Sequence, residues 1–184
     1  MLAPRQQERL RHRWRQGLLR AQRLAAQWHR AQKQQRLADA QCAAREVLVR
    51  VDGSHPAILE LALALLYLGE GTKRNAETAL GNSDPDVLRF FLGALERVYH
   101  LDRSTFRYEL TLRADHRPEY IKRYWAKELR VPMQCFRYVG VDQRTSGSPS
   151  YAGYHGVCQI RCGHVAIQRR LLAISALFIA RYGK

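Results

Sequence analysis

One acidic residue stands where a carboxylate could bind a metal ion. Glu70 follows a strongly apolar stretch, Pro56–Gly69, and has a glycine on each side, Gly69 and Gly71. These small neighbours leave the carboxylate unobstructed, and hard cations such as Mg²⁺ prefer oxygen ligands of this kind. Bound divalent metal can promote phosphodiester hydrolysis by activating water and stabilising the leaving oxygen. Glu70 is therefore the first candidate for a catalytic and metal-binding residue.

The segment around Glu70 resembles a known motif. Residues 63–71 read Leu-Ala-Leu-Leu-Tyr-Leu-Gly-Glu-Gly, which is similar to the LAGLIDADG motif of homing endonucleases, with Glu70 at its final acidic position. The matching positions are Leu63, Ala64, Leu66 and Gly71. The chain departs from the motif at Leu65, where the family has glycine, and at Leu68, where it has an inner acidic residue. The motif occurs once, as in the single-motif bacterial type.

This resemblance implies a DNA endonuclease with a shared site. In the family, two motif helices pack together and their final acidic residues hold divalent metal. A chain with one motif can pair two Glu70 carboxylates only as a homodimer, which favours a pseudo-palindromic double-stranded DNA site. Small side chains permit close helix approach, so we expect a dimer interface at Ala62, Leu63, Leu66 and Gly69. The expected cofactor is Mg²⁺ or a similar cation.

The net charge also indicates a nucleic-acid partner. The chain has 31 Lys and Arg against 16 Asp and Glu, a formal charge of +15, which suits a polyanion. Candidate DNA contacts lie after the motif, on the outer face of a predicted strand and on a basic helix: Lys73, Arg74, Arg107, Thr111, Arg113, Arg20, Arg23 and Arg30. The alternative at each position is a solvated charged surface with no DNA contact.

Other chemistry has less support. The run Tyr154 to His164 contains Cys158, Cys162 and two histidines, which are ligand types that zinc prefers. Their spacing is not that of a zinc knuckle, and we interpret the two cysteines as small apolar residues on the inner face of a strand. The sequence contains no Ser-His-Asp, Walker or dinucleotide-binding pattern.

Residues 1–52 are predicted to form a basic helical extension. Residues 5–49 contain no proline and one glycine, Gly17, and residues 1–50 have 12 basic and 3 acidic side chains. An apolar stripe recurs at helical spacing through Trp14, Leu18, Ala21, Ala25 and Trp28. Because this stripe is apolar, we expect it to pack against a partner surface. The turn-forming segment 52–56 marks the boundary.

Residues 56–184 are predicted to form an α+β domain, a LAGLIDADG-like mixture of helices and antiparallel sheet. Helical periodicity covers Pro56–Gly69, 85–100, 120–129 and Val165–Tyr182, and strands are expected near 105–113, 135–141 and 154–162. The strand at 105–113 alternates apolar residues with charged ones. This part of the chain has 19 basic and 12 acidic side chains.

We expect a cytoplasmic protein with reduced thiols, because the Arg- and Gln-rich N-terminus lacks the apolar stretch of a secretory signal. The leading hypothesis is a homodimeric, metal-dependent DNA endonuclease. One alternative is a transcriptional regulator that keeps the fold and binds DNA without cleaving it. Another is an RNA-binding or structural role, in which the motif helix only dimerises the protein.

Overall fold

A computed structural model of the chain describes residues 3–183. The chain divides into two compact units, Met1–Asp52 and Gly53–Lys184. The first unit contains one helix, α1, which runs over Pro4–Val49. Good helix formers and the absence of an internal proline allow it to continue without a break. The sequence prediction of a long helix is confirmed.

The second unit contains four helices and four strands in the part of the chain described. In chain order they are α2 (Pro56–Glu70), β1 (Thr78–Asn82), α3 (Pro85–Tyr99), β2 (Arg107–Arg113), α4 (Pro118–Leu129), β3 (Phe136–Asp142), β4 (Val157–Gly163) and α5 (Val165–Tyr182). The α+β class is confirmed. The helices α2, α3 and α4 each begin with proline, whose missing N–H costs nothing at that position.

The four strands form one sheet in the order β1-β4-β2-β3. β4 pairs antiparallel with both β1 and β2, whereas β2 and β3 are parallel. Parallel neighbours need a crossover connection, and α4 supplies it. The sheet is therefore mixed: the expected antiparallel arrangement is present in the β1–β4 and β2–β4 pairs, and it is wrong for the β2–β3 pair.

One face of the sheet packs against the helices. Tyr108, Leu110 and Leu112 of β2 are buried on this inner face, and the alternate residues of the strand lie on the outer face. The helices contribute the rest of the core, including Leu63, Tyr67, Leu88, Phe91, Leu95, Ile121, Trp125, Leu129 and Leu171. The alternation predicted for this strand is confirmed.

The segment after α2 differs from the sequence prediction. No strand is predicted between the helices at Pro56–Gly69 and 85–100, yet Thr78–Asn82 forms the edge strand β1. A single strand therefore follows α2 before α3 begins.

Among the described residues, no helix combines the length and apolar character needed to cross a bilayer.

Candidate metal and nucleic-acid sites

Glu70 lies at a corner where three elements meet. It is the last residue of α2 and is exposed, and its Oε2 accepts a hydrogen bond of 3.4 Å from Nδ2 of Asn82 at the end of β1. Asn82 Oδ1 in turn accepts from the backbone N–H of Asp84 at 2.9 Å. Asp84 caps α3 by accepting from the N–H of Asp86 at 2.8 Å. These bonds hold the carboxylate beside the start of α3.

The end of α2 and the Glu70 carboxylate both contribute negative charge at this corner. The C-terminal end of a helix carries partial negative charge, which disfavours a carboxylate there and favours a positive ion beside it. One chain supplies only the Glu70 carboxylate, because both polar atoms of the Asn82 amide already have partners. The described part of the chain contains no group of three or more His, Cys, Asp and Glu side chains able to hold a metal. A metal site here needs ligands from outside one chain.

The two glycines beside Glu70 have different surroundings. A Cβ at Gly69 would meet no atom within 4 Å, whereas a Cβ at Gly71 would lie 2.5 Å from Cδ2 of Tyr67. Gly71 is thus required by close packing against the fully buried Tyr67 ring. The prediction that the two glycines leave Glu70 unobstructed agrees with the open space at Gly69. At Gly71, the close approach of the Tyr67 ring is an additional reason for glycine.

Tyr67 connects α2 to the segment that follows. Its hydroxyl donates to the carbonyl of Thr72 at 2.8 Å and accepts from the N–H of Ala79 at 3.4 Å. Burial raises the pKa of Tyr67 above its ordinary value, so the phenol stays protonated and can donate. The ring therefore determines how the chain leaves α2 directly after Glu70.

The helix α2 has one buried face and one exposed apolar face. Leu59, Leu63, Ala64 and Tyr67 are buried. The opposite face, which we call the α2 apolar face, comprises Ile58, Ala62, Leu65, Leu66, Leu68 and Gly69; Ala62 and Leu66 are partly buried and the others exposed. Of the expected interface residues, Leu63 is a correction, because it is fully buried in the core of its own chain and cannot meet a second copy.

Arg107 lies in a network of balanced charge on the outer face of the sheet. Its Nη2 lies 3.6 Å from Oε2 of Glu77, which also forms an ion pair with Arg161. Arg161 Nε lies 3.0 Å from Oε2 of Glu109. Two arginines and two glutamates offset one another, so this part of the outer face carries no excess positive charge for a phosphate backbone.

The other predicted contacts on β2 have contrasting environments. Arg113 Nη2 donates to the carbonyl and to Oγ of Ser148, both at 2.6 Å, and therefore fastens the loop after β3 to the sheet. Thr111 is exposed on the same strand. Lys73 and Arg74 are exposed and have no ion pair among the residues described. These two are free to contact phosphate.

The helix α1 exposes both of its predicted surfaces. Arg20, Arg23 and Arg30, which we call the α1 arginines, are exposed. Trp14 and Trp28 on the apolar stripe are also exposed, by 71% and 58%. Burying such side chains would stabilise a complex through the hydrophobic effect. The extension therefore offers cations and unburied aromatic surface together.

A group that the sequence predictions missed lies on α4. Tyr120, Arg123, Tyr124 and Lys127 occupy one helical face, at positions i, i+3, i+4 and i+7. The ring of His155, from the loop before β4, stacks on Tyr124 with centroids 3.6 Å apart and planes at 9°. The helical spacing was visible in the sequence, but the stacking partner was not.

The cysteines near the C-terminus are structural. Cys158 is fully buried in the core, and burial raises its pKa. Burial raises the pKa of Cys162 to about 12, and its thiol donates to the carbonyl of Thr78 at 3.1 Å. The interpretation of Cys158 as a small apolar core residue is confirmed.

Comparisons of the chain with protein-family models, with curated proteins and with solved structures give no match.

Proposed function

We propose that the protein is a DNA-binding, LAGLIDADG-like protein that dimerises along α2 and acts as a metal-dependent endonuclease. The observation that carries the proposal is the α2 apolar face, which is exposed at Ile58, Leu65, Leu68 and Gly69 and ends beside Glu70. An exposed helix face of this kind is stabilised by a partner, and a chain with one motif offers its own second copy as that partner. The small residues Ala62 and Gly69 favour close helix approach.

Parallel pairing about a two-fold axis would bring two Glu70 carboxylates to one end of the dimer. Two helix C-termini and two carboxylates at one end concentrate negative charge, which a divalent cation would offset. The residues that would hold Mg²⁺ are Glu70 of each copy, and the ion would supply activation of water and stabilisation of the leaving oxygen. Asn82 orients each carboxylate through its 3.4 Å hydrogen bond.

The remaining candidate residues would bind the DNA backbone. Lys73 and Arg74 follow the motif and have no ion pair in the described part of the chain, so each can bind a phosphate without first breaking an ion pair. The α1 arginines add further exposed cations. Arg107 and Arg113 are weaker candidates, because a phosphate would have to compete with Glu77 and with Ser148.

The second candidate is a transcriptional regulator that binds DNA without cutting it. The hydrogen bond from Asn82 to Glu70 favours this candidate, because a bond that connects α2 with β1 gives Glu70 a structural role that needs no metal. Leu65 and Leu68 replace motif residues, which agrees with a helix retained for dimerisation. In this case Glu70 contributes to the fold and metal is not needed for binding.

Nicking of DNA separates these two functions. Wild type, Glu70→Gln and the control Glu46→Gln, an exposed carboxylate near the end of α1, are incubated with supercoiled DNA that contains a library of random inserts. Mg²⁺ or EDTA is present, and retention of protein on the same DNA is recorded. Nicks that need Mg²⁺ and disappear only in Glu70→Gln support the endonuclease. Metal-independent retention without nicks, equal in all three proteins, supports the regulator.

Dimerisation is tested at the α2 apolar face. Leu65 on α2 and Phe90 on α3 are 39% and 38% exposed, so lysine at either position perturbs the monomer to a similar degree. Burying a leucine contributes roughly 1.5–3 kcal/mol per copy. Leu65→Lys is therefore expected to sediment as a monomer at concentrations where wild type and Phe90→Lys are dimers. Equal sedimentation of all three proteins would refute the α2 interface.

A further inference from the structure

We propose that α4 carries a separate binding surface for unpaired nucleic acid, in which bases stack on tyrosine and phosphates contact the adjacent cations. The first observation is charge. Within the described residues, α4 and its flanks contain five cations with neither an ion pair nor a hydrogen-bonded partner from a side chain: Arg117, Lys122, Arg123, Lys127 and Arg130. On the outer face of the sheet, by contrast, Arg107 and Arg161 are balanced by Glu77 and Glu109.

Little negative charge opposes these cations on α4. The helix has two acidic residues, Glu119 and Glu128. Glu128 is neutralised by an ion pair with Arg89 of α3, which leaves Glu119 as the one acid of the helix outside an ion pair. An unbalanced cluster of cations on a rigid helix attracts a polyanion and strengthens its binding at low salt.

The second observation is a preformed aromatic platform between these cations. Tyr120 is 62% exposed, and Tyr124, one turn further on, is stacked on His155. The carbonyl of His155 accepts a 2.8 Å hydrogen bond from Nε1 of the buried Trp125, which fixes the loop against the helix. The platform therefore needs little ordering when a ligand binds.

The next residue holds this loop against the sheet. Gly156 is buried with a φ of +72°, and a Cβ there would lie 2.7 Å from the carbonyl oxygen of Thr111. Only glycine fits both the conformation and the close approach. The position of His155 is therefore determined from both sides, by Trp125 and by the backbone of Thr111 in β2.

The aromatic surface favours an unpaired strand over a duplex. In a duplex the faces of the bases are covered by their neighbours, whereas in a single strand they are free to stack on exposed aromatic rings. Tyr120 presents such a ring, and Arg123 and Lys127 lie on the same face about one and two helical turns away. This arrangement combines stacking with backbone contact and uses none of the residues assigned to duplex DNA or metal.

Stacking is tested with the full-length protein and a fluorescein-labelled 20-nucleotide oligodeoxythymidylate in EDTA. Tyr120→Ala is compared with Tyr182→Ala, a control on α5 whose tyrosine is 63% exposed. We expect Tyr120→Ala to bind about tenfold more weakly, as loss of one stacked base implies. Tyr182→Ala is expected to bind as wild type does. Circular dichroism verifies that each variant keeps its helical content.

Phosphate contact is tested through salt dependence. The double variant Arg123→Gln/Lys127→Gln is compared with Arg97→Gln/Arg169→Gln, whose arginines are exposed and without ion pairs among the described residues. The slope of log affinity against log salt concentration is expected to fall by roughly 1.4 in the first pair, at about 0.7 for each contact, and to stay unchanged in the second.

The position of the strand is tested by cross-linking. An oligonucleotide with 5-iodouracil is irradiated on the protein, and the adducts are located by mass spectrometry. Adducts at Tyr120, Tyr124 or His155 support the proposal. Adducts confined to Trp14 and Trp28, equal binding by Tyr120→Ala and Tyr182→Ala, or the same loss on a 20-base-pair duplex as on the single strand would each overturn it. None of these outcomes depends on Glu70, so failure here leaves the endonuclease proposal untouched.

Discussion

Replacement of Gly71 by alanine is expected to destabilise the folded domain, although the neighbouring glycine of the same motif tolerates this change. An added Cβ would lie 2.5 Å from Cδ2 of Tyr67 and 2.6 Å from both Cε2 and Cγ. Ordinary contacts of a Cβ begin near 3.4 Å, so the ring would have to move by almost 1 Å. Its hydroxyl is bonded to Thr72 and Ala79 and opposes that movement.

The magnitude follows from these contacts. Overpacking a core costs about 1–3 kcal/mol, and weakening one buried hydrogen bond adds about 1 kcal/mol. We therefore expect Gly71→Ala to lower the free energy of unfolding by about 3 kcal/mol. Gly69→Ala fills open space in a helix and is expected to raise it by up to ~1 kcal/mol.

The assay is urea denaturation followed by the fluorescence of Trp125. Trp14→Phe and Trp28→Phe are introduced first, so that the buried Trp125 alone reports on the core. The midpoint for Gly71→Ala is expected about 1–3 M below that of the parent. Equal midpoints for the two alanine variants would show that the ring does not resist the added methyl group. Replacing Tyr67 by leucine should remove most of the Gly71→Ala penalty.

Three further predictions concern ionisation, thiol reactivity and the extension. Glu60 accepts hydrogen bonds from Arg170, and chiefly for this reason its pKa lies below the ordinary value of 4.5. The pair therefore stabilises the folded protein while Glu60 is ionised, and this stabilisation is lost as the pH falls and the carboxylate is protonated. Arg170→Gln should destabilise the protein at pH 7, and in urea titrations its stability should converge with that of wild type as the pH falls through the lowered pKa of Glu60. With a thiol reagent at pH 8, exposed Cys42 should react first and Cys158 and Cys162 only on unfolding, because burial raises their pKa values. A fast phase that persists after both Cys42 and the partly exposed Cys135 are replaced by serine would contradict this. Replacing the three α1 arginines with glutamine should reduce the salt slope of duplex binding by roughly 2.7, and an unchanged slope would show that they do not contact phosphate.

The local pattern of the sequence was sufficient for most of the elements. The helix at Pro85–Tyr99 was predicted from its helical periodicity, and the helix at Val165–Tyr182 from its apolar face. The strand Arg107–Arg113 was predicted from strict alternation. These signals are local, because capping and periodicity depend on residues only a few positions apart.

The sheet topology depends on contacts distant in sequence. The residues of β1, Thr78–Asn82, read Thr-Ala-Leu-Gly-Asn and show no strong alternation, and they become a strand through pairing with β4. The parallel pairing of β2 with β3 was not predictable from either strand alone. Strand partners are selected by the packing of the whole domain, and a short strand with small residues carries little local preference of its own.

The candidate sites divide in the same way. By itself, the sequence determined that Glu70 ends an apolar helix between two glycines, that α1 is basic along its length, and that the chain carries a large positive charge. Only the tertiary structure decided that Leu63 is buried within its own chain, that Arg107 is offset by Glu77, and that His155 stacks on Tyr124. The type and spacing of residues are written in the chain, but whether a charge is free or neutralised depends on which distant residue the fold brings beside it.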